Sequence, residues 1–168
     1  MFDFTFAHCP DDKDLVASVQ LADETATLAL GARLAASGSL APGLNIWLEG
    51  GLGSGKTTLV RGILKAMGHT GTVKSPTYTL IESYVVSKIN MYHFDFYRLT
   101  NPEEFLDAGL DEYFSGEGIC FVEWPHQAAP YLAPPDLVIT LTPKDGGRWC
   151  EIRAITETGR TCVAQLTS

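Results

Sequence analysis

Apolar and polar positions alternate or cluster in short runs along the 168-residue chain, and most of these runs predict strands. Phenylalanine alternates with polar residues near the start, which is typical of a short strand. Two later stretches are rich in aromatic and β-branched residues and are separated only by Ser87 and Lys88, so they predict a hairpin or two neighbouring strands. The predicted strands comprise residues 2–6, 45–49, 78–86, 89–96, 119–123, 137–141 and 149–155.

Helical spacing of apolar residues and helix-capping residues predict three helices between these strands. The first begins at Asp23 and has Gly38 available to end it, and the second follows a glycine-rich stretch and ends at Gly68. The third begins at Asn101, which can cap it, and Glu104 lies three residues after that cap. The further acidic residues of this helix predict a solvated face. This order of elements predicts an α/β fold with a mixed sheet flanked by helices.

Composition and charge narrow the class of protein. The chain has 20 acidic and 12 basic residues, a net charge of −8, which argues against a chain that grips nucleic acid by itself. Hydrophobic residues make up 45% and charged residues 19%, as in globular proteins, and no linker divides the chain. We therefore expect one domain over residues 1–168. The four cysteines (Cys9, Cys120, Cys150 and Cys162) show no metal or disulfide spacing, and no signal peptide or membrane span is predicted, so we expect a cytoplasmic protein with no membrane attachment.

Residues 50–57 match the phosphate-binding pattern G-x-x-x-x-G-K-[ST] in full. Glycines allow successive backbone N–H groups to turn inward around phosphate oxygens, where a side chain would collide. Lys56 can reach the β and γ phosphates, and the Thr57 hydroxyl can ligate Mg²⁺. An apolar strand precedes the loop and a helix follows it, so the helix dipole points at the same anion. The sequence therefore predicts a P-loop NTPase-like fold that binds a nucleotide with Mg²⁺.

Two acids stand at the ends of predicted strands, where parallel strands converge on a ligand crevice. Glu123 ends a compact apolar run, which is the position of a Walker-B-type acid on the metal side. Asp95 ends another strand within the stretch His-Phe-Asp-Phe-Tyr-Arg. Given the phosphate-binding loop, we expect both acids to serve the nucleotide site.

A hydroxyl-rich segment and three histidines have less specific patterns. Residues 75–79 could form a switch-like loop facing the γ-phosphate or a proline-containing turn that enters a strand, and spacing does not separate the two. His69, His93 and His126 are scattered, so a core or surface role is expected for each rather than metal ligation.

Four linked motifs, at residues 50–58, 74–80, 93–99 and 122–125, carry a resemblance to a known family. The chain resembles the TsaE (YjeE) family from about residue 23 to about residue 148. The resemblance implies a small P-loop ATPase, with ATP and Mg²⁺ as cofactors. It also implies that the chain works with the TsaB–TsaD complex in the threonylcarbamoyladenosine modification of tRNA adenosine next to the anticodon.

The resemblance assigns roles to individual residues. Thr57 and Glu123 are expected on Mg²⁺, and Asp95 resembles the acid that positions or activates the attacking water. Glu24 is expected near the base or ribose, with Arg148 as a weaker candidate there. The residues expected to bind the nucleotide are Glu24, Leu52, Gly53, Ser54, Gly55, Lys56, Thr57, Thr58 and Arg148.

The chain also departs from the family pattern. The family usually has Asp directly after the first glycine of the loop, whereas this chain has Gly51 and so lacks a carboxylate there for any metal-shell or water-ordering role. Residues 1–20 look like a longer N-terminal extension than the family has, and the sequence gives them no role.

Two other function classes remain open. A P-loop small-molecule kinase would want a lid with convergent arginines, and the six arginines here are dispersed. A nucleotide-dependent scaffold needs the same loop without significant hydrolysis. A GTPase is disfavoured because the guanine tetrapeptide N-K-x-D is absent. We expect weak ATPase activity without partners, with Arg61 and Arg98 as the nearest internal cations, and contact with tRNA only through partners.

Overall fold

The computed structural model describes residues 2–8 and 15–168, and these form one mixed sheet of eight strands with helices on its faces. The strands are β1 (Thr5–His8), β2 (Leu15–Leu21), β3 (Asn45–Glu49), β4 (Ile81–Val86), β5 (Ile89–Asp95), β6 (Gly118–Glu123), β7 (Leu137–Lys144) and β8 (Gly147–Ala154). The helices are α1 (Glu24–Ala36), α2 (Lys56–Ala66), α3 (Glu103–Asp107) and α4 (Glu157–Thr167), with 3-10 turns at Leu110–Phe114 and Pro125–Ala128.

Parallel pairing is confined to the middle of the sheet, whose strand order is β1-β2-β8-β7-β3-β6-β5-β4. Strand β3 pairs in parallel with both β6 and β7, and β6 pairs in parallel with β5, whereas all the outer pairs are antiparallel. The register places Asp95 directly opposite Glu123, and Leu48 is also paired with Glu123. The carboxyl ends of these strands therefore meet at one edge of the sheet, where ligands of α/β proteins bind.

Two hydrophobic clusters form because successive side chains of a strand point to opposite faces. In β6, Ile119 and Phe121 belong to one cluster, which also contains the apolar residues of α1, α2 and α4. Cys120 and Val122 belong to the other, an aromatic-rich cluster with Phe105 of α3. Helices α1 and α2 both pack against the sheet in the first cluster. The amino end of α2 therefore lies at the edge of the sheet where β5 ends at Asp95 and β6 ends at Glu123.

Small residues allow α1 and α2 to approach each other closely. A Cβ at Gly62 would collide with the carbonyl oxygen of Leu28, and a Cβ at Gly31 would lie 2.5 Å from the carbonyl oxygen of Leu59. Such contacts leave no room for a side chain at either glycine. The packing fixes α2 relative to α1, whose first turn lies beside the glycine-rich loop.

Most of the predicted elements are present, several strands differ from their predicted bounds by one to three residues, and two larger differences arise where a residue adopts a left-handed conformation. Strand β3 has the predicted bounds, and Asp23 caps α1 by accepting a hydrogen bond from the N–H of Ala26 at 2.8 Å. Residues 78–80, predicted as strand, form a turn because Leu80 has φ 67°, so β4 begins only at residue 81. The predicted acidic helix is interrupted at Gly109, with φ 68°, into α3 and a 3-10 turn.

Two elements have no counterpart among the predictions, β2 and α4. The first strand is shifted toward residue 8, and Cys9 lies outside the described residues. In the part of the chain that the structure describes, no helix is long and apolar enough to cross a membrane.

Candidate nucleotide site

The glycine-rich loop joins the end of β3 to the start of α2 and folds tightly over the sheet edge. Gly50 has φ 145° and Gly55 has φ 106°, conformations that residues with a Cβ rarely adopt. A Cβ at Gly50 would also lie 2.5 Å from both the Leu141 carbonyl oxygen and the Ser54 hydroxyl. The loop leads directly into the first turn of α2, whose N–H groups have no intrahelical acceptor. The amino end of α2 is therefore suited to an anion.

Lys56 is the first residue of α2, and its side chain is folded against the loop. Its Nζ donates to the carbonyl oxygens of Gly50 at 2.6 Å and Gly51 at 2.8 Å. The same ammonium lies 4.7 Å from the centre of the Trp124 ring. Burial lowers the pKa of Lys56 below its usual value, and the negative charges of Glu123 and Asp95 oppose that shift. Lys56, the only charged residue of the loop, is thus held by hydrogen bonds to the loop and lies close to two carboxylates.

Glu123 connects the loop helix to the sheet. The Thr57 hydroxyl donates toward both carboxylate oxygens of Glu123, at 3.2 and 3.1 Å, and the ring Nε2 of His93 lies 2.8 Å from Oε2. Glu123 is only 3% exposed. A hydroxyl beside a carboxylate provides hard oxygen ligands, the donor type that Mg²⁺ prefers. The two residues predicted as metal ligands therefore lie together and suit Mg²⁺.

Within the described residues, no three His, Cys, Asp or Glu side chains are grouped as a metal cluster.

Asp95 is held by the hydroxyl-rich loop that follows α2. Its Oδ2 accepts hydrogen bonds from Ser75 and from Thr77, the latter at 3.1 Å, and its Oδ1 accepts the backbone N–H of Tyr97 at 2.9 Å. Ser75 also lies 3.4 Å from Oε2 of Glu123, so one hydroxyl connects the two acids. Residues 77–79 form a turn that leads into β4, and Ser75 and Thr77 of the same segment contact Asp95, so each of the two interpretations of residues 75–79 describes part of this loop.

Two of the cavities that border the glycine-rich loop adjoin each other and contain the residues predicted for the nucleotide and the metal. One of about 270 Å³ contains the loop and both acids, and one of about 350 Å³ lies between the loop, the start of α1 and the β7–β8 turn. The first is lined by residues 52–58 with Ser75, Thr77, Asp95, Glu123 and Trp124. The second is lined by Ala22, Asp23, Glu24, Thr27, residues 53–55, Thr58, Gly146, Gly147 and Arg148. Every residue predicted for the nucleotide or the metal lines at least one of the two.

Arg148 and Glu24 lie at the second cavity but make different contacts. Arg148 donates to the carbonyl oxygens of Ser54 and Gly53, both at 2.9 Å, so its guanidinium braces the loop. Glu24 is exposed and lies 3.7 Å from Arg61. Their predicted contacts with base or ribose stay predictions.

Three features of the site were not predicted from the sequence. His93 was expected in a core or surface role, and its pairing with Glu123 follows only from the β5–β6 register. Trp124, with φ 56°, faces the Lys56 ammonium, although its motif had suggested no role. Arg98, a candidate cation, lies over the ring of Tyr78 at 4.1 Å.

Comparisons with known proteins identify the same family as the four motifs do. The family model described as "Threonylcarbamoyl adenosine biosynthesis protein TsaE" matches residues 21–150. A tRNA threonylcarbamoyladenosine biosynthesis protein TsaE from Haemophilus influenzae is 41% identical over 123 residues, which is 73% of this chain and 78% of that protein. The TsaE protein of a Nostoc species is 41% identical over 144 residues, 83% of this chain and 86% of that protein.

A solved structure is also similar. The crystal structure of Bacillus subtilis YdiB superposes with a TM-score of 0.78 at 30% sequence identity, covering 94% of this chain and 97% of that chain. Fold, motifs and relatives agree over most of the sequence. The chain therefore belongs to the TsaE family of threonylcarbamoyl adenosine biosynthesis proteins.

Proposed function

We propose that this protein binds and hydrolyses ATP with Mg²⁺ in the cytoplasm. In this proposal it acts with the TsaB–TsaD complex in the threonylcarbamoyladenosine modification of tRNA adenosine next to the anticodon. The observation that carries the proposal is the convergence of the Lys56 ammonium, the Thr57 hydroxyl and two carboxylates on a single cavity beside the glycine-rich loop. That combination is the set of groups that phosphoryl transfer requires. The four residues are Lys56, Thr57, Asp95 and Glu123.

The loop and Lys56 bind the phosphates in this proposal. Backbone N–H groups of residues 52–57 would donate to phosphate oxygens, and Lys56 would exchange the carbonyl oxygens of Gly50 and Gly51 for the more strongly charged phosphates. The neighbouring cavity of about 350 Å³ would take the ribose and base. ATP is favoured over GTP because the guanine tetrapeptide is absent from the sequence.

Thr57 and Glu123 would hold Mg²⁺, which supplies charge neutralisation between the phosphates. Asp95 has a separate role, because its carboxylate is already fixed by Thr77 and by the N–H of Tyr97. A carboxylate fixed on both oxygens can accept a proton from a water molecule and orient it. Asp95 therefore positions the nucleophile.

Weak turnover by the isolated chain follows from where its arginines lie. Arg98 stacks over Tyr78, and Arg61 donates to the carbonyl oxygen of Val73 at 3.0 Å and pairs with Glu24. Fast phosphoryl transfer commonly needs a further cation at the γ-phosphate, worth roughly 10³ or more in rate when supplied by a partner. The net charge of −8 also gives no reason for direct capture of tRNA, which is expected to meet the chain through TsaB–TsaD.

ATP hydrolysis measured with and without partners tests the proposal. We expect slow single-turnover hydrolysis by the chain alone and a marked increase when TsaB–TsaD is added. A gel-shift titration of tRNA with the isolated chain should show no tight complex. Nucleotide binding without any hydrolysis, even with partners, would favour the scaffold alternative, and transfer of labelled phosphate to a small acceptor would favour the kinase. Fast partner-independent turnover together with tight, salt-sensitive tRNA binding would contradict the proposal.

A further inference from the structure

The carboxylate of Glu123 is buried next to an equally buried imidazole. His93 has no exposed surface, Glu123 is 3% exposed, and the His93 Nε2 lies 2.8 Å from Oε2 of Glu123. A buried carboxylate is costly unless hydrogen bonds satisfy it. The Thr57 hydroxyl also donates to Glu123, but it rotates freely about a single bond. The imidazole is therefore the one rigid donor to this carboxylate among the described residues.

The fold fixes the position of the His93 ring. His93 is paired with Glu82 of β4 on one side and with Phe121 of β6 on the other, so its backbone cannot shift independently. It precedes Asp95 by two residues, which places both side chains on the face of β5 that looks toward Glu123. Strand β5 thus places the His93 imidazole and the Asp95 carboxylate at the same site.

The contact also defines which ring nitrogen carries a proton. A carboxylate only accepts hydrogen bonds, so the His93 Nε2 must be the N–H that faces Glu123. Among the described residues, Nδ1 of His93 has no hydrogen-bond partner, so the ring is committed to Glu123 alone.

We propose that His93 is a positioning residue that holds the Glu123 carboxylate toward Thr57 and thereby sets the Mg²⁺ requirement of nucleotide binding. The inference rests on the metal site of the proposed function. The terminal torsion of a glutamate is broad, so the carboxylate turns when no donor fixes it. With His93 in place, both oxygens of Glu123 lie within 3.2 Å of the Thr57 hydroxyl. Groups that orient a metal ligand in this way typically change metal affinity by about 10- to 100-fold.

Calorimetric titration of a non-hydrolysable ATP analogue at a series of Mg²⁺ concentrations, and in EDTA, separates this role from a structural one. His93→Phe keeps the ring and loses the N–H. We expect its Mg²⁺ midpoint to rise by about tenfold or more, with affinity in EDTA unchanged within about twofold, because the loop and Lys56 carry that binding. His93→Gln should stay near the wild-type midpoint, since its amide nitrogen reaches the position of Nε2. His69→Phe, at a histidine that packs on Tyr84, is the matched control and should match the wild type.

A wild-type Mg²⁺ midpoint in folded His93→Phe would overturn the inference while leaving the proposed function intact. Failure of the wild-type chain to bind the analogue with Mg²⁺ would instead overturn the proposed function. If thermal melts show that His93→Phe does not fold, His93→Gln and His93→Asn decide, because the shorter amide cannot reach Oε2 of Glu123. A higher midpoint for the Asn variant supports the positioning role, and equal midpoints reject it.

Discussion

Replacing Asp95 by Asn tests the separation of binding from chemistry at this site. The substitution keeps the shape of the side chain and removes its negative charge. In the wild type the N–H of Tyr97 donates to Oδ1 of Asp95 at 2.9 Å, and the amide oxygen of the variant can accept the same hydrogen bond. Its NH₂ group faces the hydroxyls of Ser75 and Thr77, which can rotate to accept where they now donate. The network is therefore retained in a neutral form.

The expected magnitudes follow from these contacts. Exchanging three charge-assisted hydrogen bonds for neutral ones costs about 2–3 kcal/mol of folding free energy, which is less than the stability of a typical domain, so the variant stays folded. Turnover should fall by roughly 10² or more, about 2.7 kcal/mol in the barrier, since an amide cannot take a proton from water. Affinity for Mg·ATP should stay within about threefold, because the loop, Thr57 and Glu123 are unchanged.

Three measurements check the Asp95→Asn variant: urea denaturation for stability, calorimetry for Mg·ATP binding, and single-turnover hydrolysis with TsaB–TsaD. Asp107→Asn is the matched control, since Asp107 is an exposed acid at the end of α3 and should behave as wild type in all three. Turnover by Asp95→Asn within about threefold of wild type would show that Asp95 only supports the loop.

Three further predictions concern the surroundings of the site. Arg148→Met removes two hydrogen bonds to the glycine-rich loop and should weaken Mg·ATP binding by about tenfold in calorimetry; unchanged affinity would mean that the loop needs no brace. Gly62→Ala forces a Cβ against Leu28 and should lower the free energy of unfolding by about 2 kcal/mol in urea, a result that an unaltered midpoint would reject. Burial raises the pKa of the Cys120 thiol and of the Cys150 thiol to about 12 each. Since only about 10⁻⁴ of each is then thiolate at pH 8, iodoacetamide should modify them only in unfolded protein, as peptide mass spectrometry would show.

Elements with local signals could be predicted from the sequence. The bounds of β3 are correct because a short apolar run stops at a glycine that begins the phosphate-binding pattern. Asn101 was expected to cap α3, and its Oδ1 accepts the N–H of Glu103 at 3.0 Å while Glu104 accepts the N–H of Asn101 at 3.1 Å. These hydrogen bonds join residues two and three positions apart, which is why the local pattern is sufficient.

Elements held by distant contacts were missed. Helix α4 begins with a good cap, since Thr156 accepts the N–H of Gly159, but a glycine within its first turn hides its helical pattern. The helix is stabilised by burying Val163 and Leu166 against the sheet, a contact that no local pattern reports. Tertiary packing outweighs weak helix propensity here.

The candidate site also combines residues that local patterns predict with contacts between distant residues that they do not predict. The strand-end rule correctly places Asp95 and Glu123 at one edge, because parallel strands carry their carboxyl ends together. The brace from Arg148 to Ser54 joins residues 94 positions apart, and the His93–Glu123 pair spans 30. Both depend on strand register, which short-range sequence patterns do not specify.

The central claim is that the loop around Lys56 binds Mg·ATP, and the shift in melting temperature on adding nucleotide tests it most directly. A ligand at about 100 times its dissociation constant stabilises the native state by about 2.7 kcal/mol. The wild-type chain should show a clear rise with Mg·ATP and a smaller one with Mg·GTP. Lys56→Ala should lose most of the rise, whereas Lys65→Ala, at an exposed lysine of the same helix, should keep it. Equal rises for the wild type and Lys56→Ala would contradict the account.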